Sequence, residues 1–410
     1  MMSPDTPHGA TDWVAVSRQR LLRTYPESDL VFVEGHGSWL VDADGNRWLD
    51  LLSGIAVTSL GHSHPRVAAA VVEQVSKLVH TSNLFLTTPA LELAERLAGI
   101  LEWSDARTFF AQCGATANEA AIKLARRHGK KQHADKIRLV TLEGSFHGRT
   151  LATLEATGQR AKHLAFEPLA GFVDTVPHDR PDVLAAAVGA ETCAVMLEVV
   201  QGEGGVRPLD SAVLAAARSA CDAHGALLIA DEVQSGIGRT GSWFAFQQTS
   251  VIPDVVTSAK ALGNGLPIGA CIAHGAAADA LEPGDHATTF GGNPVTAAAA
   301  LAVLDVISTE GILAQVPTRA AQLRIGIADI GARTGAIREV RGMGLLLGIV
   351  VDGISAAAVA AQCRERRLIV NAVGADVVRL TPPLTLSAEE CALALEILEG
   401  AIVAAQAEAS

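Results

Sequence analysis

Two residues of opposite charge each follow a short apolar run in this chain of 410 residues. Asp231 follows Ala226-Leu-Leu-Ile-Ala, and Lys260 lies just beyond Val255-Val. Taken singly, such an aspartate is a helix cap or half of a local ion pair, and most lysines sit on surface loops. Brought together, the two suit pyridoxal-phosphate chemistry. That cofactor needs a lysine to hold it as a Schiff base. It also needs a carboxylate that keeps its pyridine nitrogen protonated, so that the ring accepts electrons from a substrate carbanion. A lysine in a closed site has its ammonium disfavoured, which helps it act as nucleophile and proton carrier. A phosphate needs an anion pocket as well. Phe109-Phe-Ala-Gln-Cys-Gly114-Ala115-Thr116 passes from an apolar run through glycine into the helical pattern around Ala120–Arg127. Free N–H groups and the positive end of such a helix bind anions, although a strand–glycine–helix turn alone is usually only a connection. Gly236-Ile-Gly238-Arg-Thr-Gly241 fits the dinucleotide pattern GxGxxG, but it neither directly follows a strand nor opens a clear helix.

These residues need a scaffold that gathers loop ends. Short apolar runs at Thr108-Phe-Phe, Arg138–Leu142, Ala194–Leu197, Ala226–Ala230, Val255-Val and Gly269–Ala273 alternate with helical stretches such as Val67–Val79 and Leu91–Leu101. The alternation predicts βα units and a mostly parallel, buried sheet, with ligands beyond the carboxyl ends of its strands. Before it, apolar stretches flank Asp44-Gly45 and predict small antiparallel hairpins. An alanine-rich helix is expected over Pro294–Ser308. After it, Gly344–Val351 and Val377–Leu380 read as strands of an α+β unit. The expected division is an N-terminal segment, residues 1–64, joining a C-terminal small domain, residues 311–410, around a large α/β domain at 65–310.

The composition bounds the function. With 49% hydrophobic residues the chain can bury a large core, and a formal net charge of −12 argues against a nucleic-acid partner. Six cysteines without a CxxC pair read as small core residues in a reducing compartment. Met1–Asp12 is too polar for a signal peptide, and no apolar run reaches the roughly 18 residues that span a bilayer. A cytoplasmic protein with no membrane partner is expected.

Leu228-Ile-Ala-Asp231-Glu-Val-Gln234-Ser-Gly-Ile-Gly-Arg-Thr-Gly241, followed by Pro253-Asp-Val-Val-Thr-Ser-Ala-Lys260, closely resembles the signature of the class III aminotransferases. Phe146-His-Gly-Arg149-Thr, Gln201-Gly-Glu203-Gly-Gly, Thr289-Phe-Gly-Gly-Asn-Pro and Arg379-Leu-Thr-Pro-Pro fit it in order and spacing, over about Asp42–Leu384. Leu52-Ser-Gly-Ile55-Ala-Val and Arg341-Gly-Met-Gly-Leu-Leu-Leu-Gly look most like the branch that acts on N2-acetylornithine. The resemblance implies the fold type I architecture of pyridoxal-phosphate enzymes and a homodimer with shared active sites. It implies that Lys260 carries the cofactor, Asp231 meets its ring nitrogen, and Gln234 lies near the ring 3-oxygen. Phe146 and Val233 would sandwich the ring. Gly114 and Ala115 would hold the phosphate through backbone N–H groups, with Thr289 of the partner subunit reaching it. Relatives usually carry Ser and Glu where this chain has Cys113 and Thr116, so lower cofactor affinity is expected.

The same resemblance implies how one site serves two substrates. N2-acetylornithine reacts at a carbon without a carboxylate, whereas glutamate reacts at one that carries it. An arginine fixed there would be left unpaired with the first substrate, which is costly when desolvated. Glu203 is expected to pair with Arg379 while the ω-amine donor binds, and to release it for glutamate or 2-oxoglutarate. Arg149 is expected to hold the distal carboxylate in both half-reactions. Ile55 stands where ornithine-specific relatives resemble each other in having tyrosine, which favours an N-acylated donor. His147 is expected to pack or hydrogen-bond near the cofactor, and His62 and His64 to be structural rather than a metal pair. The competing readings are another ω-aminotransferase, acting on 4-aminobutyrate, ornithine, succinylornithine or succinyldiaminopimelate, and a non-catalytic pyridoxal-phosphate-binding protein.

Overall fold

The apolar runs assemble into one seven-stranded sheet in a computed structural model that describes residues 12–409. Met1–Thr11, most of the stretch read above as too polar for a signal peptide, lies outside the described residues. In spatial order the strands are Arg107–Ala111, Gly269–Ala273, Val255–Ser258, Leu227–Asp231, Thr192–Leu197, Arg138–Leu142 and Val173–Val176. All run parallel except Gly269–Ala273, which is antiparallel to both neighbours. Every residue of Thr192–Leu197 and Leu227–Asp231 is buried, which is why these strands read as unbroken apolar runs. Each Leu, Ile or Val so buried contributes about 1.5–3 kcal/mol over its exposed state. Val173–Val176 was not foreseen; it is an edge strand of four residues, one of them buried, and carries little pattern.

Helices cover this sheet. Pro294–Thr309 buries ten side chains and packs against Pro65–Lys77 and Thr88–Leu101. Its alanines serve close helix packing. Asn293 caps it, the side-chain oxygen accepting from the Val295 N–H at 2.9 Å, with Pro294 at the first helical position. No single helix among the described residues is long and apolar enough to cross a membrane.

Two smaller sheets carry the rest. Phe32–His36, Trp39–Asp42 and Arg47–Asp50 form the expected hairpins, and Leu368–Ile369 joins them in parallel, pairing Leu368 with Leu49. The N-terminal segment thus shares a sheet with the C-terminal part. Ile337–Met343, Leu346–Val351, Val377–Leu380 and Asn371–Val373 form an antiparallel sheet in that order. In it Arg379 lies between Gly348 and Asn371.

Candidate active site

The strand ends converge on a cavity of about 390 Å³ lined by Gly114, Phe146, Arg149, Glu203, Asp231 and Lys260, among others. Five parallel strands feed it. Ala111 leads to Gly114, Leu142 to Phe146, Leu197 to Glu198, and the last two end at Asp231 and beside Lys260. A larger and more open cavity, about 890 Å³ between Glu143, Arg160, His163 and Glu167, gathers no comparable set of unpaired groups.

At one end the helix Gly114–Gln132 points its N-terminus at the cavity. Its first hydrogen bond runs from the Ala117 N–H to the Cys113 carbonyl, so the N–H groups of Gly114 and Ala115 precede the ladder and are available to an anion. Thr116 closes the turn, its hydroxyl oxygen accepting from the N–H groups of Gln112 at 3.2 Å and Cys113 at 3.1 Å. A Cβ on Gly114 would come within 2.7 Å of a Val233 methyl, so glycine here leaves room for Val233 in the cavity wall, which Phe146 also lines.

Asp231 is fixed from three sides. The Val233 N–H donates to Oδ1 at 3.0 Å, while Asn118 Nδ2 and His147 Nδ1 each donate to Oδ2 at 2.8 Å. Among the described residues, His147 Nε2 and Asn118 Oδ1 are buried without partners. Glu198, also buried, accepts from the Phe146 N–H at 2.8 Å and the Gly202 N–H at 3.2 Å, and burial pushes its carboxyl up to about 7. Gly202 has room for no side chain, because a Cβ would overlap the Gln234 amide.

Lys260 holds an uncommon backbone state, φ +42°, directly after the buried strand Val255–Ser258. Its ammonium makes no hydrogen bond among the described residues. Burial, and then Arg379, lower its pKa to about 8 against the opposing pull of Glu203, Asp231 and Glu198. Arg379 is fully buried. Its Nη1 donates to Glu203 Oε1 at 2.5 Å and to Gln234 Oε1 at 3.4 Å, its Nε to Asn371 Oδ1 at 3.0 Å, and its Nη2 has no partner. Burial alone would raise the Glu203 carboxyl, but Arg379 holds it below the usual range.

The fold therefore gathers Lys260, Asp231, Gly114, Ala115, Phe146, Val233, Gln234, Arg149 and Glu203 around one cavity, with Arg379 behind Glu203. Ile55 is outside the lining, two residues from Val57, which is part of it. It sits in a strained turn where Ser53, Ile55 and Ala56 have φ of 50°, 66° and 61°. Asp50 Oδ1 braces that turn by accepting from the Leu52 and Ser53 N–H groups at 2.8 Å, and His62 Nε2 donates to Asp50 Oδ2 at 2.8 Å. Thr289 is exposed and outside the lining of this cavity, beside His80, Ser82 and Asn83, although its neighbour Thr288 accepts from Gln112, a lining residue, at 2.6 Å. His147 was expected to bond near the cofactor, and its bond is to Asp231. Glu198 was legible only as a residue just after a strand, with no role assigned, and Asn118 was not singled out, since an asparagine inside a helix carries no local signal. Nor was Arg239, in the GxGxxG-like turn. Fully buried, it donates Nη2 to Ser59 Oγ at 2.9 Å and Nη1 to the Leu345 carbonyl at 3.2 Å and the Pro382 carbonyl.

The donor set fits pyridoxal phosphate. It offers a helix N-terminus for the dianion, an aromatic and a branched wall for the ring, a braced carboxylate and an unbonded lysine. The sequence profile of the family aminotransferase class-III matches residues 23–402. The chain is 46% identical over 389 residues to the acetylornithine aminotransferase of Mycobacterium leprae, covering 95% of this chain and 94% of that one. It is 48% identical over 367 residues to that of Streptomyces coelicolor, 89% of each. Among solved structures, the N-acetylornithine aminotransferase of Stenotrophomonas maltophilia superposes with TM-score 0.84 at 38% identity, over 96% of this chain and 100% of that one. The ornithine aminotransferase of Toxoplasma gondii does so with TM-score 0.92 at 29% identity, over 97% and 95%. Matched along nearly its whole length, the chain belongs to the class III aminotransferases, enzymes that work with pyridoxal phosphate.

Proposed function

We propose that this enzyme moves the terminal amino group of N2-acetylornithine to 2-oxoglutarate in two alternating half-reactions, giving N-acetylglutamate 5-semialdehyde and glutamate, a step of arginine biosynthesis. Near-complete coverage by relatives named for that donor supports the substrate. The observation that carries the mechanism is the pairing of a buried Arg379 with a half-buried Glu203 beside an unbonded Lys260.

Pyridoxal phosphate, when bound, supplies the electron sink that makes a proton on the substrate carbon labile. Gly114 and Ala115 would hold its phosphate with backbone N–H groups, Phe146 and Val233 would flank its ring, Asp231 would keep its nitrogen protonated, and Gln234 would serve the ring oxygen. Lys260 Nζ would take the proton from the substrate carbon and deliver it on the far side of the reacting nitrogen, a role suited to an amine with a pKa near 8. While the ω-amine donor is bound, Glu203 neutralises Arg379. With glutamate or 2-oxoglutarate, Glu203 turns away and Arg379 takes the α-carboxylate, for which its unpartnered Nη2 is a ready donor. Arg149 holds the far carboxylate of both substrates.

The assembly is read as a homodimer. Leu84, Phe85, Leu86 and Phe290 are 86%, 69%, 82% and 60% exposed, more apolar surface than a solitary chain leaves in one place. Asn83 bonds the Thr288 and Gly291 carbonyls, so these residues and Thr289 form one face, from which Thr289 would reach the partner's phosphate site. Five buried cysteines, all six being free thiols, support a cytoplasmic setting.

The test is spectroscopic. N2-acetylornithine alone should shift the cofactor absorbance of the purified protein, and 2-oxoglutarate should restore it. If ornithine or 4-aminobutyrate does so faster, the donor assignment is lost. If no amine does so, the enzyme reading is lost with it.

A further inference from the structure

Phe146 has two cations on its ring. The Arg149 guanidinium carbon lies 5.6 Å from the ring centroid and the Lys162 ammonium 6.0 Å. Arg149 makes neither a hydrogen bond nor an ion pair among the described residues. Lys162 donates to a neutral oxygen, the side-chain carbonyl of Gln159. That amide is itself oriented, since its Nε2 donates to the Gly144 and Ser145 carbonyls at 3.3 and 3.2 Å. A lysine with no task here would turn its ammonium to water. This one is half-buried on an aimed acceptor, and burial together with Arg149 lowers its pKa. The nearby acid, Glu203, is already engaged by Arg379. Arg149 lines the cavity and Lys162, outside that lining, stands beside it on Phe146, so two like charges lie together with no ion pair of their own among the described residues, an arrangement that an anion would relieve.

We propose that Lys162 is a second carboxylate-binding cation beside Arg149, so that an arginine–lysine pair holds the end of each substrate remote from the reacting carbon. This rests on the reading of Arg149 given above. The chemistry gives a reason for two unlike cations. In N2-acetylornithine the remote carboxylate lies one carbon farther from the reacting carbon than in glutamate. A planar guanidinium fork is best matched to one carboxylate position, whereas an ammonium on a flexible stem can follow the carboxylate between the two.

Lys162→Met tests this through two selectivities in kcat/KM. One is 2-oxoglutarate over pyruvate, which lacks the remote carboxylate. The other is N2-acetylornithine over pentylamine, which lacks it as well. Losing one charge-assisted contact should lower both ratios about tenfold, chiefly through KM, and Lys162→Arg should recover most of the loss. Ratios unchanged in Lys162→Met would overturn the proposal. So would an equal loss on pyruvate and pentylamine, which marks a structural role. Arg149→Met in parallel separates the two readings. If it lowers both ratios while Lys162→Met does not, Lys162 alone is misassigned. If it leaves them unchanged, the Arg149 reading fails and this one with it.

Discussion

At Lys260 the fold places a cation where water is scarce and another cation, Arg379, is near, and both effects favour the neutral amine. The sign for the cofactor-free protein follows by linkage. Between the folded pKa of about 8 and the ordinary 10.5, the unfolded chain holds more protons on this lysine than the folded one. Stability should therefore rise with pH across that window, and Lys260→Met should flatten the rise in chemical unfolding at pH 8 and pH 10. The same substitution should abolish turnover. Glu203 invites a second test, because it neutralises an arginine that has a further unsatisfied donor. Glu203→Gln should free Arg379 for an α-carboxylate. In half-reaction kinetics, kcat/KM should then shift about tenfold toward glutamate over N2-acetylornithine. No shift would mean that the pair is only structural.

At the scale of the element, the helix Gly114–Gln132 has to be closed at its start yet leave N–H groups for an anion. Thr116 does the closing through bonds to the Gln112 and Cys113 N–H groups, so the departures at Cys113 and Thr116 still make a cap. Thr116→Val should cost about 1 kcal/mol of stability by thermal unfolding, the value of a lost cap. It should also weaken cofactor binding in a titration, because the loop preceding Gly114 loses its tie. Cys113→Ser, which offers a stronger capping oxygen, should tighten that binding; an unchanged affinity would show that the thiol at this position costs nothing. Gly114→Ala should damage the site more than the fold, since the added methyl meets Val233, a wall residue.

For the whole molecule, the exposed face around Leu84, Phe85, Leu86 and Phe290 predicts that the isolated chain is incomplete. Phe85→Glu combined with Phe290→Glu should give monomers by light scattering. On the dimer reading proposed above, they should bind the cofactor weakly, because Thr289 would then be missing from the partner's phosphate site. A monomeric variant with full cofactor affinity would argue that one chain makes the whole site. The N-terminal hairpins share a sheet with Leu368–Ile369, and on that pairing we propose, for the described residues, the domain division expected from the sequence.

The sequence by itself determined the parallel sheet and the polar residues at its strand ends, because a strand buried on both faces must be apolar throughout. It also determined the chemistry of Asp231 and Lys260, because residue type decides what can hold a proton or attack a carbonyl. Tertiary structure alone decided which groups meet. Asn118, His147 and Asp231 are far apart in the chain and were joined only when a helix and a loop packed over one strand end. Arg379 reached Glu203 across 176 residues through an antiparallel sheet whose register no local pattern specifies. The reversal of Gly269–Ala273 and the placing of Ile55 outside the cavity were likewise settled by packing. Hydrophobic periodicity says which face of an element is buried but not what will lie against it.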